Sequence, residues 1–234
     1  GHLYTSPLFA ARPESTHGYD AISLRQIDPE IGGEDGFARL VEALQSHAIG
    51  HLLDFVPNHM AAHESNDWWR SVLEWGPESP MARIFDIDWN ERRLMLPILG
   101  VPYGDALGED DLSLAFDPDA GAFSLAYADR SLPLTPPSYV LLLSHCGDRA
   151  VAEFGPEFAR SDPASAETLK SRLADLARTP RTASAISELA ERVSRDPALL
   201  HPILEAQIWR IAYWRLSRQA LTYRRFFEID ELVG

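Results

Sequence analysis

His51-Leu-Leu-Asp-Phe-Val-Pro-Asn-His59 is the stretch on which the fold turns. Apolar residues run into Asp54. Pro57 then stops the strand, because it has no N–H to give a ladder, and Asn58 and His59 fall in the turn. A strand that ends in a polar cluster suits a parallel sheet, whose sites gather in the loops at the carboxyl ends of the strands. Upstream, residues 35–48 predict an amphipathic helix. Phe37, Leu40, Val41, Leu44 and Ala48 recur at helical spacing, and Gly50 lies just beyond. Residues 1–9 predict a short strand leading into Ser6-Pro7. Residues 10–34 hold Pro13, Gly18, Pro29 and Gly32-Gly33 and predict a long loop, a feature that usually carries function inside a compact domain. Strand, loop, helix and strand make a βαβ unit with parallel pairing. One such unit cannot cover both faces of a parallel sheet, so further strands are expected from chain beyond these residues.

Beyond His59 the pattern changes. Asp67–Trp75 predicts a short helix capped by Ser65 or Asn66. Residues 92–130 hold β-like runs such as Arg93–Pro97 and Gly121–Tyr127. Residues 137–146 suit a helix, and residues 165–194 suit two surface helices parted at Thr179-Pro180. Residues 199–222 predict the longest helix, with Leu204, Ile208, Ile211, Ala212 and Leu216 on one stripe. Tyr223-Arg-Arg-Phe-Phe227 then leads into an acidic end. These breaks divide the chain into 1–62, 63–222 and 223–234.

The 234 residues are 45% apolar and 10% aromatic, enough for a real core, and carry a formal charge of −14. That charge argues against nucleic acid and anionic membrane, which both call for a basic face. No run approaches the ~20 apolar residues of a membrane span, and no signal peptide is visible. The lone Cys146 excludes an internal disulfide and fits a reducing, cytoplasmic setting. Gly1-His-Leu-Tyr-Thr-Ser6 opens in mid-pattern, as though cut from a longer chain.

Two clusters could carry chemistry. In His17-Gly18-Tyr19-Asp20, Gly18 permits a tight turn between polar side chains. The tyrosine face with polar groups at its edge suits a sugar ring; an ordinary turn with a half-buried tyrosine suits it as well. Asp54, Asn58 and His59 could floor a polar substrate, ligate a metal, or simply satisfy turn and buried backbone groups. Trp68, Trp69, Trp75 and Trp89 could line a cleft, yet at helical spacing they read more readily as core, as do Trp209, Tyr213 and Trp214. Nucleotide, zinc and serine-hydrolase motifs are missing from the sequence.

Taken together, His17–Asp20, Ile27-Asp-Pro-Glu-Ile-Gly32 and Asp54–His59 resemble strands two and three of the α-amylase clan of glycoside hydrolases. Leu3–Asp20, Phe85-Asp-Ile-Asp-Trp89, Leu96–Gly100 and Tyr213–Phe227 are similar to the maltooligosyl trehalose synthase family within that clan. The resemblance implies an α/β fold: a partial (β/α)8 TIM barrel, strands two and three with the intervening helix, carrying a large mixed, mainly helical insertion after strand three. It implies an enzyme that acts on maltooligosaccharides. The reducing-end α-1,4 bond is broken and the released glucose rejoined by an α-1,1 bond, through retaining intramolecular transglycosylation with two carboxyl groups.

The same resemblance assigns residue roles. Tyr19 would stack under the glucose, His17 would line the subsite, and His59 would bond the 6-hydroxyl. Asp20 would contact nearby hydroxyls, and Asp54 would orient its loop. Asn58 matches a calcium ligand of many amylases, but no metal or other cofactor is expected here and Asn58 is read as a structural hydrogen-bonding group. The clan's nucleophile, acid and third carboxylate follow strands four, five and seven, and those motifs do not occur in this sequence. Glu228 and Asp230 are not assigned those roles. The expected partner is the remainder of the same catalytic domain. The alternatives are another α-amylase clan glucan hydrolase or glucosyltransferase, and a non-catalytic glucan-binding module.

Overall fold

The computed structural model describes residues 1–90, 93–109, 111–217, 221–225 and 232–234. The sequence expectations for Phe226, Phe227, Glu228 and Asp230, and for the end of the helix at 218–220, lie outside the described residues. Residues Gly1–Trp69 with Arg224–Gly234 form one compact unit, and Arg70–Tyr223 form another.

In the first unit, strand β1 (His2–Thr5) is followed by a long loop, helix α1 (Gly33–Ser46) and strand β2 (Gly50–Leu53). β1 and β2 pair in parallel, with His2 opposite Gly50 and Thr5 opposite Leu53, as the βαβ reading requires. The Asp28-Pro29 pair sets the entry to α1. Asp28 accepts from the Glu30 N–H and the Ala11 N–H, and Pro29 opens a 3-10 turn whose missing N–H costs nothing there. Glu34 and Asp35 then sit in the first turn of α1, favoured by the helix dipole. Leu44 is the buried member of the predicted stripe, while Phe37, Leu40 and Val41 are half-buried. Strand β3 (Met60–Ala61) precedes helix α2 (Asp67–Trp75). Asn66 is the cap of α2: its side-chain oxygen accepts from the Trp68 and Trp69 N–H groups, and its amide donates to the Ala61 carbonyl. Leu3, Tyr4, Leu52, Leu53 and Phe55 remain exposed on and just after the parallel pair.

The second unit begins with strand β4 (Leu94–Leu99), helix α3 (Tyr103–Gly108) and an antiparallel meander, β5 (Ser113–Asp117), β6 (Ala122–Tyr127) and β7 (Arg130–Pro133). Helices α4 (Tyr139–Leu143), α5 (Arg149–Phe154), α6 (Pro163–Ala177), α7 (Pro180–Arg195) and α8 (Pro197–Glu205) follow, then strand β8 (Trp209–Tyr213) and helix α9 (Trp214–Ser217). Asp162 and Thr179 cap α6 and α7, and a proline opens each. Both helices bury a face, through Leu169 and Leu173 in α6 and Ile186, Leu189 and Val193 in α7. The core gathers Phe123, Leu125, Leu132, Leu134, Tyr139 and Phe158, with the Tyr139 hydroxyl accepting the Phe123 N–H. In the first unit, strand β9 (Leu232–Val233) pairs antiparallel with β3. No described helix is long and apolar enough to cross a membrane.

The long helix expected over 199–222 is a correction. The chain leaves α8 at Glu205 and enters β8, which pairs in parallel with β4. Gln207 ends the helix. Its amide donates to the Ile203 carbonyl at 2.6 Å and to Ser138 Oγ, and its oxygen accepts the Thr135 N–H at 2.8 Å. The side chain thus takes the carbonyl that the next helical turn needs. Trp209 and Ile211 are buried while Arg210 is exposed, a period of two. β-branched and aromatic residues at 208–214 satisfy both periodicities, and the open edge of β4 decides for the strand.

Candidate functional site

The turn Ser15–Asp20 is tied within itself. Ser15 Oγ donates to Asp20 Oδ1 and accepts the Gly18 N–H, and His17 Nδ1 accepts the Tyr19 N–H at 3.0 Å. A His17 nitrogen that accepts carries no proton, so its 3.7 Å separation from Asp20 Oδ1 is proximity rather than an ion pair. Gly18 has φ of +76°, and a Cβ there would lie 2.8 Å from the Pro7 carbonyl oxygen. Only glycine fits both the left-handed backbone and the close approach. Asp20 is 7% exposed and lies beneath the turn.

Tyr19 is held at three points. Its N–H goes to His17, its carbonyl accepts from His59 Nε2 at 2.9 Å, and its hydroxyl donates to Asp54 Oδ2 at 2.6 Å. The residue is 38% exposed, and its ring lies 5.9 Å from the His17 ring at 29°. Asp54 Oδ2 also accepts from the Tyr4 hydroxyl at 2.6 Å. The Tyr19 and Tyr4 hydroxyls stabilise the charged carboxylate and hold Asp54 below the usual range. The same bonds favour the neutral phenols: Tyr19 is raised, and Tyr4 is pushed up to about 12, chiefly by its bond to Asp54. His59 is 4% exposed, and burial lowers its pKa, so it is neutral at neutral pH. With its proton on Nε2 toward Tyr19, its Nδ1 lies 3.2 Å from Asn58 Oδ1. Asn58 is exposed at the surface.

All six residues singled out from sequence therefore share one unit and one connected group. Asp20 and His59 lie under the surface; His17, Tyr19, Asp54 and Asn58 reach solvent or its edge. Two members were not singled out. Ser15 carries the turn, and Tyr4 shares the carboxylate of Asp54. Tyr4 had a signal only once register was known: it pairs with Leu52, and Asp54 lies two residues further on the same face. Beside Tyr19 and Asp54 there is a hollow of only about 10 Å³, room for about one water, so a ligand would rest on an open surface. A larger cavity of about 550 Å³ lies in the other unit between β5 and α7 and holds none of these residues. Among the described residues, no three His, Cys, Asp or Glu side chains converge as a metal site. Trp69, Trp75 and Trp209 are buried as core; Trp68 is half-buried with Arg25 over its ring at 5.4 Å.

A family model of the alpha-amylase catalytic domain matches residues 2–88. A Mycobacterium tuberculosis protein described as a maltooligosyl trehalose synthase is 42% identical over 132 residues, covering 51% of this chain and 17% of that protein. Over about half its length this chain is similar to a maltooligosyl trehalose synthase. A crystal structure of a maltooligosyl trehalose synthase aligns with 100% of the chain at 26% identity and a TM-score of 0.69, over 24% of the solved protein. The maltooligosyltrehalose synthase of Arthrobacter ramosus aligns with 99% of it at 26% identity and a TM-score of 0.63, over 22% of that protein. The chain thus spans about a sixth to a quarter of the length of these relatives.

Proposed function

We propose that this chain contributes barrel strands two and three, and the mixed insertion that follows them, to an enzyme that converts the reducing-end α-1,4 linkage of maltooligosaccharides to α-1,1. The observation that carries the reading is the alignment of the chain along its whole length with a maltooligosyl trehalose synthase. The exposed apolar residues Leu3, Leu52 and Leu53 support the barrel part, since parallel strands are normally covered on both faces.

In this reading the chain binds and orients glucose and does not break the bond. The exposed Tyr19 ring lies under the apolar face of the sugar. His17 and Asp54 serve hydroxyls around it, while Asp20 and His59, buried beneath the turn, would reach the hydroxyls assigned to them only once the turn and Asn58 shift to admit the sugar. Asp54 is unsuited to general-acid work, because a carboxyl held in its charged form is a poor proton donor at neutral pH. The carboxyl groups of the retaining pair, roughly 5 Å apart across the bond, are supplied from outside these residues.

The test is to incubate the whole chain with maltopentaose, measuring binding by calorimetry and products by chromatography. Binding without product is expected. A non-reducing, trehalose-capped product would refute the division of labour, new reducing ends would favour a hydrolase, and failure to bind would refute the sugar floor.

A further inference from the structure

We infer that Tyr4 is a positioning residue that acts through Asp54 to fix the Tyr19 ring, an inference whose sugar-binding consequence rests on the function proposed above. Asp54 Oδ2 receives the Tyr4 and Tyr19 hydroxyls, each at 2.6 Å. The two phenols come from different parts of the chain: Tyr4 from strand β1, Tyr19 from the long loop. The strand is the firmer of the two, because its backbone is laddered to β2 from His2 to Thr5 and the Asp54 N–H continues that ladder to the Thr5 carbonyl at 3.2 Å. The loop around Tyr19 has no continuous ladder: it is fastened by turns, by two isolated bridges, Phe9 to Ile27 and Ala11 to Ala21, and by scattered backbone bonds such as Arg12 N–H to the Asp20 carbonyl and Ala61 N–H to the Ala21 carbonyl.

The mechanical order follows from this. A carboxylate with one hydroxyl partner can still turn about its side-chain torsions; one with two partners on the same oxygen has its direction set by both. Tyr4, anchored by its strand, sets where Oδ2 points, and Oδ2 sets where the Tyr19 hydroxyl must lie. Since the Tyr19 backbone is held at its N–H and carbonyl by His17 and His59, fixing the hydroxyl fixes the plane of the ring. A platform whose plane is already set loses less freedom when a sugar ring settles on it. Among the described residues Asp54 Oδ1 takes no hydrogen bond, which leaves an acceptor beside the ring for a sugar hydroxyl. Tyr4 itself is 64% exposed, so its hydroxyl is not needed to satisfy a buried group. Its hydrogen bond has a directional role that packing does not explain.

The experiment uses the whole chain with labelled aspartate carboxyl carbons and tyrosine rings, followed by NMR. Without any substitution, the ring signals of Tyr4 and Tyr19 are expected to move with the same acid midpoint as the Asp54 carboxyl; separate midpoints would overturn the coupling. In Tyr4→Phe the Asp54 midpoint moves upward and the Tyr19 ring signals shift, while the amide spectrum away from the site is retained. Maltopentaose affinity falls about fivefold, the size expected for loss of one hydrogen bond that orders a site. In an Asp54→Asn background, Tyr4→Phe changes affinity no further. Wild-type ring signals for Tyr19 in Tyr4→Phe, or an equal loss of affinity in both backgrounds, would refute the inference. If the unsubstituted chain does not bind maltopentaose, the sugar reading fails, and the ring and carboxyl titrations still decide whether Tyr4 positions Tyr19.

Discussion

Replacing Gly18 by alanine should loosen the turn that carries Tyr19, and the structure sets the size of the effect. The residue has φ of +76°, where an L side chain costs about 1–2 kcal/mol. The added methyl would also stand 2.8 Å from the Pro7 carbonyl oxygen and 3.5 Å from Pro7 Cβ. The first neighbour is backbone, which cannot swing aside as a long side chain does. Such overpacking costs about 1–3 kcal/mol. Because the loop can yield part of the contact, the total should be about 2–4 kcal/mol, read as a lower urea midpoint with an unchanged slope. Gly33→Ala separates the two contributions. Gly33 has φ of +59°, but nothing lies within 4 Å of a Cβ there, so it pays only the conformational part, about 1–2 kcal/mol. The two variants also differ at the site: Gly18→Ala displaces the Tyr19 hydroxyl from Asp54, whereas Gly33→Ala leaves the Tyr19 ring signals in place. If Gly18→Ala costs no more than Gly33→Ala and leaves Tyr19 undisturbed, the contact with Pro7 is not what requires glycine in this turn.

Other substitutions and conditions test the remaining parts. Gln207→Ala leaves the buried Thr135 N–H without its acceptor and should cost about 1–3 kcal/mol in urea unfolding; a neutral result would remove Gln207 as the cause of the switch into β8. Asn66→Ala removes the cap of α2 and should destabilise by about 1 kcal/mol or more, with Ser as a partial rescue. Asp54 is held low by Tyr19 and Tyr4, so its contribution to stability is complete above its unfolded value near 4 and fades as pH falls through the lower folded value. Tyr4 is raised to about 12 by Asp54, so its contribution is present below about pH 10 and is lost as pH rises toward 12. Burial holds His59 neutral, so its contribution is present above about pH 6.5 and declines in acid; His59→Phe should abolish that slope.

Much of this was legible because the deciding interactions are local. Asp28-Pro29 caps its own turn, Asn66 caps the next helix, and the left-handed backbone of Gly18 belongs to a turn closed by Ser15, although its approach to Pro7 does not show in the local sequence. The parallel pair could be read because apolar strand, loop, amphipathic helix and apolar strand leave little choice of connection. What could not be read depends on partners distant in sequence. Gln207 ends α8 through Thr135 and Ser138, about 70 residues earlier, and nothing near Ile208–Tyr213 announces the free edge of β4. Tyr4 is an ordinary strand tyrosine until register places it beside Asp54. Likewise, the sequence picks out His17, Tyr19, Asp20, Asp54, Asn58 and His59 but does not show that Asp20 and His59 lie beneath the surface while the Tyr19 ring is open to solvent.

One NMR titration of the isotopically labelled chain with maltopentaose puts the division between binding and bond-breaking to the test. Backbone and ring signals report where the sugar rests, and the anomeric protons of the sugar report whether a glycosidic bond changes. The expected result is saturable movement of the Tyr19, His17 and Asp54 signals with the anomeric spectrum unchanged over days. Unmoved signals at those residues, or the appearance of an α-1,1 anomeric resonance, would contradict it.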